Sequence, residues 1–486
     1  MWRGILAAVF WTLCCGLSPA WALSAEALWR ALQDQIAATG GVLRAGAIAR
    51  GDDVVTLTDV TWISSGAEDV REARVARLYL REMAGGEVEL TADPDVTLRV
   101  QLMSEFGAAE PFELKLRQTG GRILADGVAE DLTLRHDIPS LRLWTTQPIA
   151  LGAQGEYLDF VLQLSDFVGQ YRMQLGAMRQ TRSDIHVGRL GTDFELHVGA
   201  DVIAGRVLQN DIRSVRTGTM PMGRDPSDLA ASLAAGMRAE VIMSLGPLVA
   251  TLVGGQQFGW QSHALTQHLS PERFDQRALI TKGFARTAEK SSEDISVDEI
   301  AWDFSLPLPK QSVAQEAEIG LRIDGLQLSK AVWNMIDRAQ ILPRDPMDVA
   351  VDLRVGLRWL RDAWLLTPQD LTGDEAPVVV ETVTLNDARL SAMGSELVAK
   401  GALAALPTDL FGSTSEPVGM VDLTLTGGLT LLDNLVAAGL LAPDQAAGAK
   451  LILGLFSTEG AAPDIRHSHI EMRADGSIFA NGAQLQ

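Results

Sequence analysis

The apolar positions of this chain recur with two periods, and the change from one to the other marks its elements. Ser24 is placed to cap a helix in which Leu28, Leu32 and Ile36 share one face, and Gly40-Gly41 ends it in the manner of a left-handed C-cap. Beyond it, apolar and polar residues alternate through Val55-Leu57, Val88-Leu90, Val96-Leu98-Val100-Leu102, Phe112-Leu114-Leu116, Phe160-Leu162-Leu164 and Phe194-Leu196-Val198. Thr, Arg, Glu and Asp fill the intervening places, the pattern of an antiparallel sheet with one wet face. Gly85-Gly86, Asp93-Pro94 and Gly120-Gly121 read as the turns between such strands, so the first half is expected to be a run of hairpins.

The texture changes near Asp225. Asp225-Pro226 is a good helix start, and Leu229, Leu233, Met237 and Val241 continue at helical spacing. Val241 to Gly255 carries no charge but is too short to span a bilayer and is broken at Gly246-Pro247, so it predicts two buried helices under a sheet, with lipid contact as the other reading. The polar stretch from Thr281 to Glu299 predicts a linker or exposed loop between a domain over 23–280 and another over 300–486.

The second half carries a diverged internal repeat. Ile319 to Ile323 and Leu326-Leu328 lead into a helix capped by Ser329, with Val332, Trp333 and Ile336 on its face. Leu342-Pro343-Arg344-Asp345 follows, then Val349, Val351, Leu353, Val355, Leu357 and Trp359 in unbroken alternation. The later copy runs through Val421-Leu423-Leu425, a helix bearing Leu431, Leu435 and Val436, and Leu441-Ala442-Pro443-Asp444. Paired strands close each copy, Val383-Leu385 with Leu397-Val398 and Ile470-Met472 with Ile478-Phe479. A strand-helix-strand unit cannot cover its own apolar face, so such units must pack on neighbours. The fold class is thus α+β and β-dominated: mostly antiparallel, twisted or curved sheets with helices packed on one face, in an elongated body.

The first residues predict export. Arg3 supplies a positive n-region, Ile5 to Leu17 an uncharged apolar stretch, and Ala20-Trp21-Ala22 a cleavage site used after Ala22. A retained anchor is the competing reading, but it needs about 20 apolar residues and this run is shorter and ends at Ser18-Pro19. Both cysteines, Cys14 and Cys15, fall inside the apolar stretch, so the mature chain would have no disulfide and no thiol chemistry in its periplasmic location.

The remaining composition, with 47% hydrophobic and 21% charged residues, is that of a globular chain able to bury a core. Its net charge of -21, or -22 without Arg3, repels phosphate polyanions, and no Lys- or Arg-rich run offsets it, which disfavours nucleic acid as a partner.

Three segments carry a resemblance. Gly51 to Val60, Val383 to Leu390 followed by Lys400-Gly401, and Ala474 to Gly482 resemble the domain-of-unknown-function family 2125 of exported bacterial proteins, whose strand-turn-strand style is similar to that of AsmA-like envelope proteins. The resemblance implies a periplasmic location and a part in envelope or outer-membrane lipid biogenesis. It brings no catalytic motif and therefore no site residues. The chain departs from the large AsmA-like proteins in lacking a retained membrane helix.

Candidate chemistry is sparse. His467, His469 and Glu471 alternate, so a strand would place all three on one face, where imidazole and carboxylate could hold zinc; solvated polar positions are the alternative. His263 and His268 are spaced as surface histidines. Ser262-His263 is merely sequential, and there is no Gly-x-Ser-x-Gly, no Gly-x-Gly-x-x-Gly and no phosphate loop. Asp93 and Asp95 are the kind of dispersed carboxylates a hydrolase would have to use. Trp62, Trp302, Trp333, Trp359 and Trp364 lie on or beside apolar faces, where core packing is the default and a lipid or sugar groove the alternative. No catalytic, cofactor-binding or metal residue is therefore assigned. The expected function is a non-enzymatic envelope protein that binds an apolar ligand such as a lipid or supports outer-membrane assembly. A ligand-free structural or interaction module comes second, and a hydrolase third.

Overall fold

The structure, a computed structural model, describes residues 23–38, 40–65, 69–104, 107–108, 111–151, 156–222, 228–287, 294–366, 370, 377–404, 417–462 and 464–485. The expected export segment over 1–22, with Cys14 and Cys15, lies outside the described residues, as does Asp225-Pro226. The chain is 64% strand and 13% helix, as the dominance of period-two segments requires. Among the described residues no helix is long and apolar enough to cross a membrane. Two compact units, Met1–Gly255 and Gln256–Gln486, make up the fold.

The first unit opens with helix α1 (Ala25–Ala38) and strands β1 (Val42–Arg44), β2 (Ala47–Arg50), β3 (Val54–Ser65), β4 (Asp69–Glu82), β5 (Val88–Ala92) and β6 (Asp95–Ser104). Then come β7 (Gly107–Ala108), β8 (Phe112–Thr119), β9 (Arg122–Val128), β10 (Asp131–Thr145), β11 (Ile149–Ala150) and β12 (Tyr157–Gln174). It closes with β13 (Met178–Val198), β14 (Asp201–Pro221), helix α2 (Leu229–Ala234), β15 (Arg238–Leu245) and β16 (Leu248–Leu252). All pairings are antiparallel: β1 and β2 on β3, β3 on β4, β4 on β5 and β6, these on β9 and β8, then β10, β12, β13 and β14, with β15 and β16 last.

Helix α1 forms as its sequence directs. The Ser24 hydroxyl accepts from the Ala27 amide at 3.1 Å, Leu28, Leu32 and Ile36 are buried, and Gly40 turns the chain out at φ +77°. Its apolar face packs on Leu57, Leu80, Leu90 and Met173. A second cluster gathers Leu98, Leu114, Leu116, Leu143, Phe160 and Leu162.

A line of irregular backbone crosses this meander and divides it into two panels. On β10 the buried positions are Leu132, Leu134 and Ile138, then Leu141 and Leu143, so the inward phase slips at Pro139. On β12 it slips at Asp166, where φ is +55°, and on β14 the corresponding residue is Asp211 at φ +48°. Register does not change, because Ile138 pairs with Phe167 and Ser140 with Ser165. Both partners slip together, and the core face therefore continues across the line.

Aspartate tolerates the left-handed region better than most residues, and glycine stands opposite: a Cβ on Gly188 would come within 2.9 Å of Asp166 Oδ2. The same line passes between β5 and β6 at Asp93-Pro94, between β8 and β9 at Gly120-Gly121, and between β15 and β16 at Gly246-Pro247. Asp93-Pro94 and Gly120-Gly121 are thus not hairpin turns, since the strands flanking each run along the same partner. Gly and Pro mark a departure from pleated backbone without saying which departure.

The expected helices over 225–255 are also corrected. Among the described residues of this stretch only α2 is helical, capped by the Asp228 carboxylate accepting from the Ala231 amide at 2.9 Å and followed by Gly236 at φ +93°. Met237 lies past the helix, and Val241 pairs with Arg216 in the sheet. The apolar positions 239, 241, 243 and 245 fit period two as well as they fit a helix, and β14 supplies the partner that decides between them.

The second unit contains β17 (Gln257–Trp260), β18 (Ser262–Leu269), β19 (Arg273–Arg286), β20 (Ile295–Pro307), β21 (Gln315–Leu328), helix α3 (Lys330–Ile336), β22 (Met347–Trp359) and β23 (Val378–Ala392). After these come β24 (Ser395–Ala404), β25 (Val418–Thr426), α4 (Gly428–Ala437), α5 (Pro443–Phe456), β26 (Thr458–Glu459), β27 (Ile465–Met472), β28 (Ile478–Ala480) and β29 (Ala483–Gln484). β17 and β18 pair with β19, the strands from β19 to β25 follow in order, and β27 lies beside β25. The stretch expected as a linker over 281–299 lies inside this unit, with Thr281 paired to Glu299. Of its described residues, Lys282 and Asp298 form an exposed ion pair across the two strands, while residues 288–293 lie outside the described residues. Ser329 caps α3 as expected, its hydroxyl accepting from the Val332 amide at 3.3 Å.

Two outcomes follow. Asp166→Val, which puts a β-branched residue at φ +55°, is expected to lower stability by about 1–2 kcal/mol while Asp166→Gly does not, as read by urea denaturation. His136 is 9% exposed, and burial pushes its imidazole from 6.5 down to about 4. The unfolded chain therefore takes up this proton first, and stability falls as pH drops from 6.5 to about 4, by about 3 kcal/mol in all. Melting curves across that window are expected to lose this part of their slope in His136→Leu.

Candidate functional site: an uncovered apolar sheet face

Directly paired residues of antiparallel strands point to the same side, so the register of the second unit shows what each face carries. One row runs Leu269, Phe274, Leu306, Ala317, Val355, Val383 and Leu403. The next row on that face includes Phe304, Ile319, Leu353, Leu385, Val421 and Ile470. The third includes Leu265, Ala278, Trp302, Leu321, Val351 and Leu423, and the fourth Ile280, Ile300, Ile323, Val349, Leu390 and Leu425.

Beneath α1 in the first unit such a face is covered, with Leu57 and Leu80 0% exposed. Here Ile319 is 46% exposed, Leu321 40% and Leu390 48%, and most of their neighbours are half-buried. Contiguous apolar residues left this exposed are uncommon on folded chains, which makes this face the candidate site.

The opposite face is polar. Arg322 bridges Glu299 and Asp324, Lys400 pairs with Asp387 at 3.4 Å, and Asn386 donates to Asp352 at 3.0 Å. Small residues, Ala301, Gly320 and Ala350, floor an open basin of about 740 Å³ rimmed by Arg277, Asp303, Glu318, Asp352 and Arg354. Among the described residues no group of three His, Cys, Asp or Glu is disposed to hold a metal ion.

His263 ends the fourth row and is corrected from the surface position expected for it. It is half-buried, its ring centroid 5.9 Å from that of Trp260 and 6.3 Å from that of Trp302, and burial pushes its pKa down. Its Nε2 and the Trp260 Nε1 are buried without hydrogen-bond partners among the described residues. Ser262 points to the other face and bonds with the Thr281 hydroxyl at 2.6 Å, so it forms no nucleophile-base pair with His263. His268 also lies on the other face, 3.4 Å from Asp275.

The remaining candidates are each engaged separately. His467 bonds with the Thr424 hydroxyl at 3.1 Å, His469 with Asp422 at 2.6 Å, and Glu471 accepts from Arg473 at 2.8 and 3.0 Å. They share a strand face, as expected, but are not gathered around one point. Asp93 accepts from Arg77 at 3.0 Å and Asp95 from Arg117 at 2.6 Å, and that guanidinium holds the Asp95 carboxyl below the usual carboxylate range. Trp62, Trp333 and Trp359 are buried, the last donating to the Pro307 carbonyl at 2.6 Å, while Trp302 and Trp364 are half-buried. In the first unit the clusters meet at an apolar cavity of about 120 Å³ lined by Trp62, Val75, Leu90, Leu116 and Ile123.

Sequence reasoning missed the part of this face carried by β19 and β20. The signal was present in Ile300-Trp302-Phe304-Leu306, an alternation that begins immediately after the stretch read as a linker. Comparison with protein-family models, curated proteins and solved structures gives no match to this chain.

If the face is open, removing side chains from it is nearly neutral. Leu321→Ala is expected to cost less than about 1 kcal/mol, against about 3 kcal/mol for Leu57→Ala, in chemical denaturation of the full chain.

Proposed function

We propose that the chain is a non-enzymatic, exported envelope protein that holds hydrocarbon chains of a lipid against the apolar face of its second unit. The carrying observation is the four-row apolar surface with Ile319, Leu321 and Leu390 40–48% exposed. Water against such a surface is unfavourable, and covering a leucine-sized side chain is worth about 1.5–3 kcal/mol. A flexible acyl chain can follow a broad, grooveless face. The polar groups within the rows lie toward the two ends of the sheet: Gln267, Gln276 and His263 on β18 and β19, and Arg466 and Ser468 on β27.

Two finer readings support this proposal. The strand-helix-strand segments around α3 and around α4 and α5 are taken as diverged copies of one unit, and the helices as partial cover for one face. The resemblance of Gly51 to Val60, Val383 to Leu390 and Ala474 to Gly482 to the exported family 2125 supports a periplasmic place of action.

Trp302 lies on the face beside Leu321 and serves as the reporter. A brominated fatty acid added as monomer is expected to quench tryptophan fluorescence, with the quenching reduced at least severalfold in Trp302→Phe and the affinity reduced at least tenfold in Ile319→Glu/Leu321→Glu. Organic extraction of protein purified from its own envelope is expected to release lipid. Lipid-free protein that also fails to bind the probe would leave the ligand-free interaction module as the better reading.

A further inference from the structure

The face does not end at the sheet. Helix α4 starts against Leu425 of the fourth row, where a Cβ on Gly428 would come within 2.4 Å of the Leu425 side chain. Helix α5 ends at the third row, where the Ser468 hydroxyl donates to the Phe456 carbonyl at 2.5 Å. Between these attachments α5 turns Ala446 inward, and Leu451, Ile452 and Leu455 outward at 65%, 57% and 64% exposure. Residues 451 and 455 are one turn apart and 452 lies beside them, so the three form a single outward stripe.

The stripe is free of charge. The cation of α5, Lys450, is drawn to Asp433 of α4 at 2.5 Å, and no charged residue follows it before Glu459. Two carbonyls of the helix terminus are engaged as well: the Ser457 hydroxyl donates to the Leu453 carbonyl, and Asn481 Nδ2 donates to the Phe456 carbonyl at 3.0 Å. Carbonyls satisfied in this way can approach an apolar phase without the penalty of bare acceptors. Helix α3 has the same habit, with Met335 72% and Ile336 44% exposed.

We propose that α4 and α5 form the contact with a bilayer of neutral lipid, Leu451, Ile452 and Leu455 entering its acyl boundary. The inference rests on the lipid-binding reading, because a chain held on the sheet has to leave a bilayer. A membrane is favoured over a second copy by the net charge of -21, which opposes self-association, and by the anchoring of the C-terminal end of α5 to Ser468 of the third row. The same charge favours a zwitterionic surface over an anionic one. A helix lying in the interface with its apolar side down needs no membrane-spanning length.

The test is cosedimentation of the full chain with phosphatidylcholine vesicles. Wild type is expected to sediment, Leu451→Glu/Leu455→Glu to bind at least tenfold more weakly, and vesicles rich in anionic lipid to bind less than neutral ones. These residues are exposed, so the variant should keep its circular-dichroism spectrum and its affinity for the monomeric brominated fatty acid. That last readout separates the two proposals, since the soluble probe reaches the sheet without a bilayer. Wild type that stays in the supernatant, or a variant that sediments equally well, overturns the inference. A wild-type dimer in light scattering that the variant abolishes, with no vesicle binding, assigns the stripe to a second copy instead.

Discussion

A β-sheet has two sides, and a chain that alternates apolar and polar residues must find cover for one of them. That requirement organises this protein. In the first unit it is met internally: α1 lays Leu28, Leu32 and Ile36 over one part of the sheet, and a second cluster forms around Leu114, Leu143 and Phe160. In the second unit the same alternation produces an apolar side whose central residues stay partly in water. The buried cluster there is small, Ala317, Leu357 and Trp359, and among the described residues no helix buries a row of these side chains as α1 does in the first unit.

The crease is the second organising feature. Long antiparallel strands coil and twist, and a sheet of such strands bends most easily where its ladder is interrupted. Here the interruptions line up, with Asp59 and Asp211 in the left-handed region, Asp166 likewise opposite Gly188, and Gly120-Gly121 and Gly246-Pro247 completing the line. Paired slips preserve register while changing which residues face inward. Inserting or deleting one residue in a single strand would instead send every side chain beyond it to the wrong side.

The chemistry follows the same division. Charged residues gather on the wet faces and are spent on one another across strands, as with Asp95 and Arg117 or His469 and Asp422. Titratable groups on the apolar side are few, and burial drives His136 and His263 toward their neutral forms. Among the described residues His467, His469 and Glu471 are likewise engaged by separate partners.

Much of this was legible in the linear pattern. Ser24, Leu28, Leu32, Ile36 and Gly40 specify α1 through contacts within a few residues, and Val349 to Trp359 could only be a strand, so local chemistry determined these elements by itself. Whether an apolar run such as 238–252 is helix or strand depended on β14 being there to pair with it. Whether Asp93-Pro94 reverses the chain or creases it depended on β4 running past both sides. The openness of the rows through Ile319, Leu321 and Leu390 is likewise a tertiary fact, since alternation states that a face is apolar but not whether another element lies over it. Periodicity records what one residue owes its neighbours in sequence, and cover is decided by residues far away in the chain.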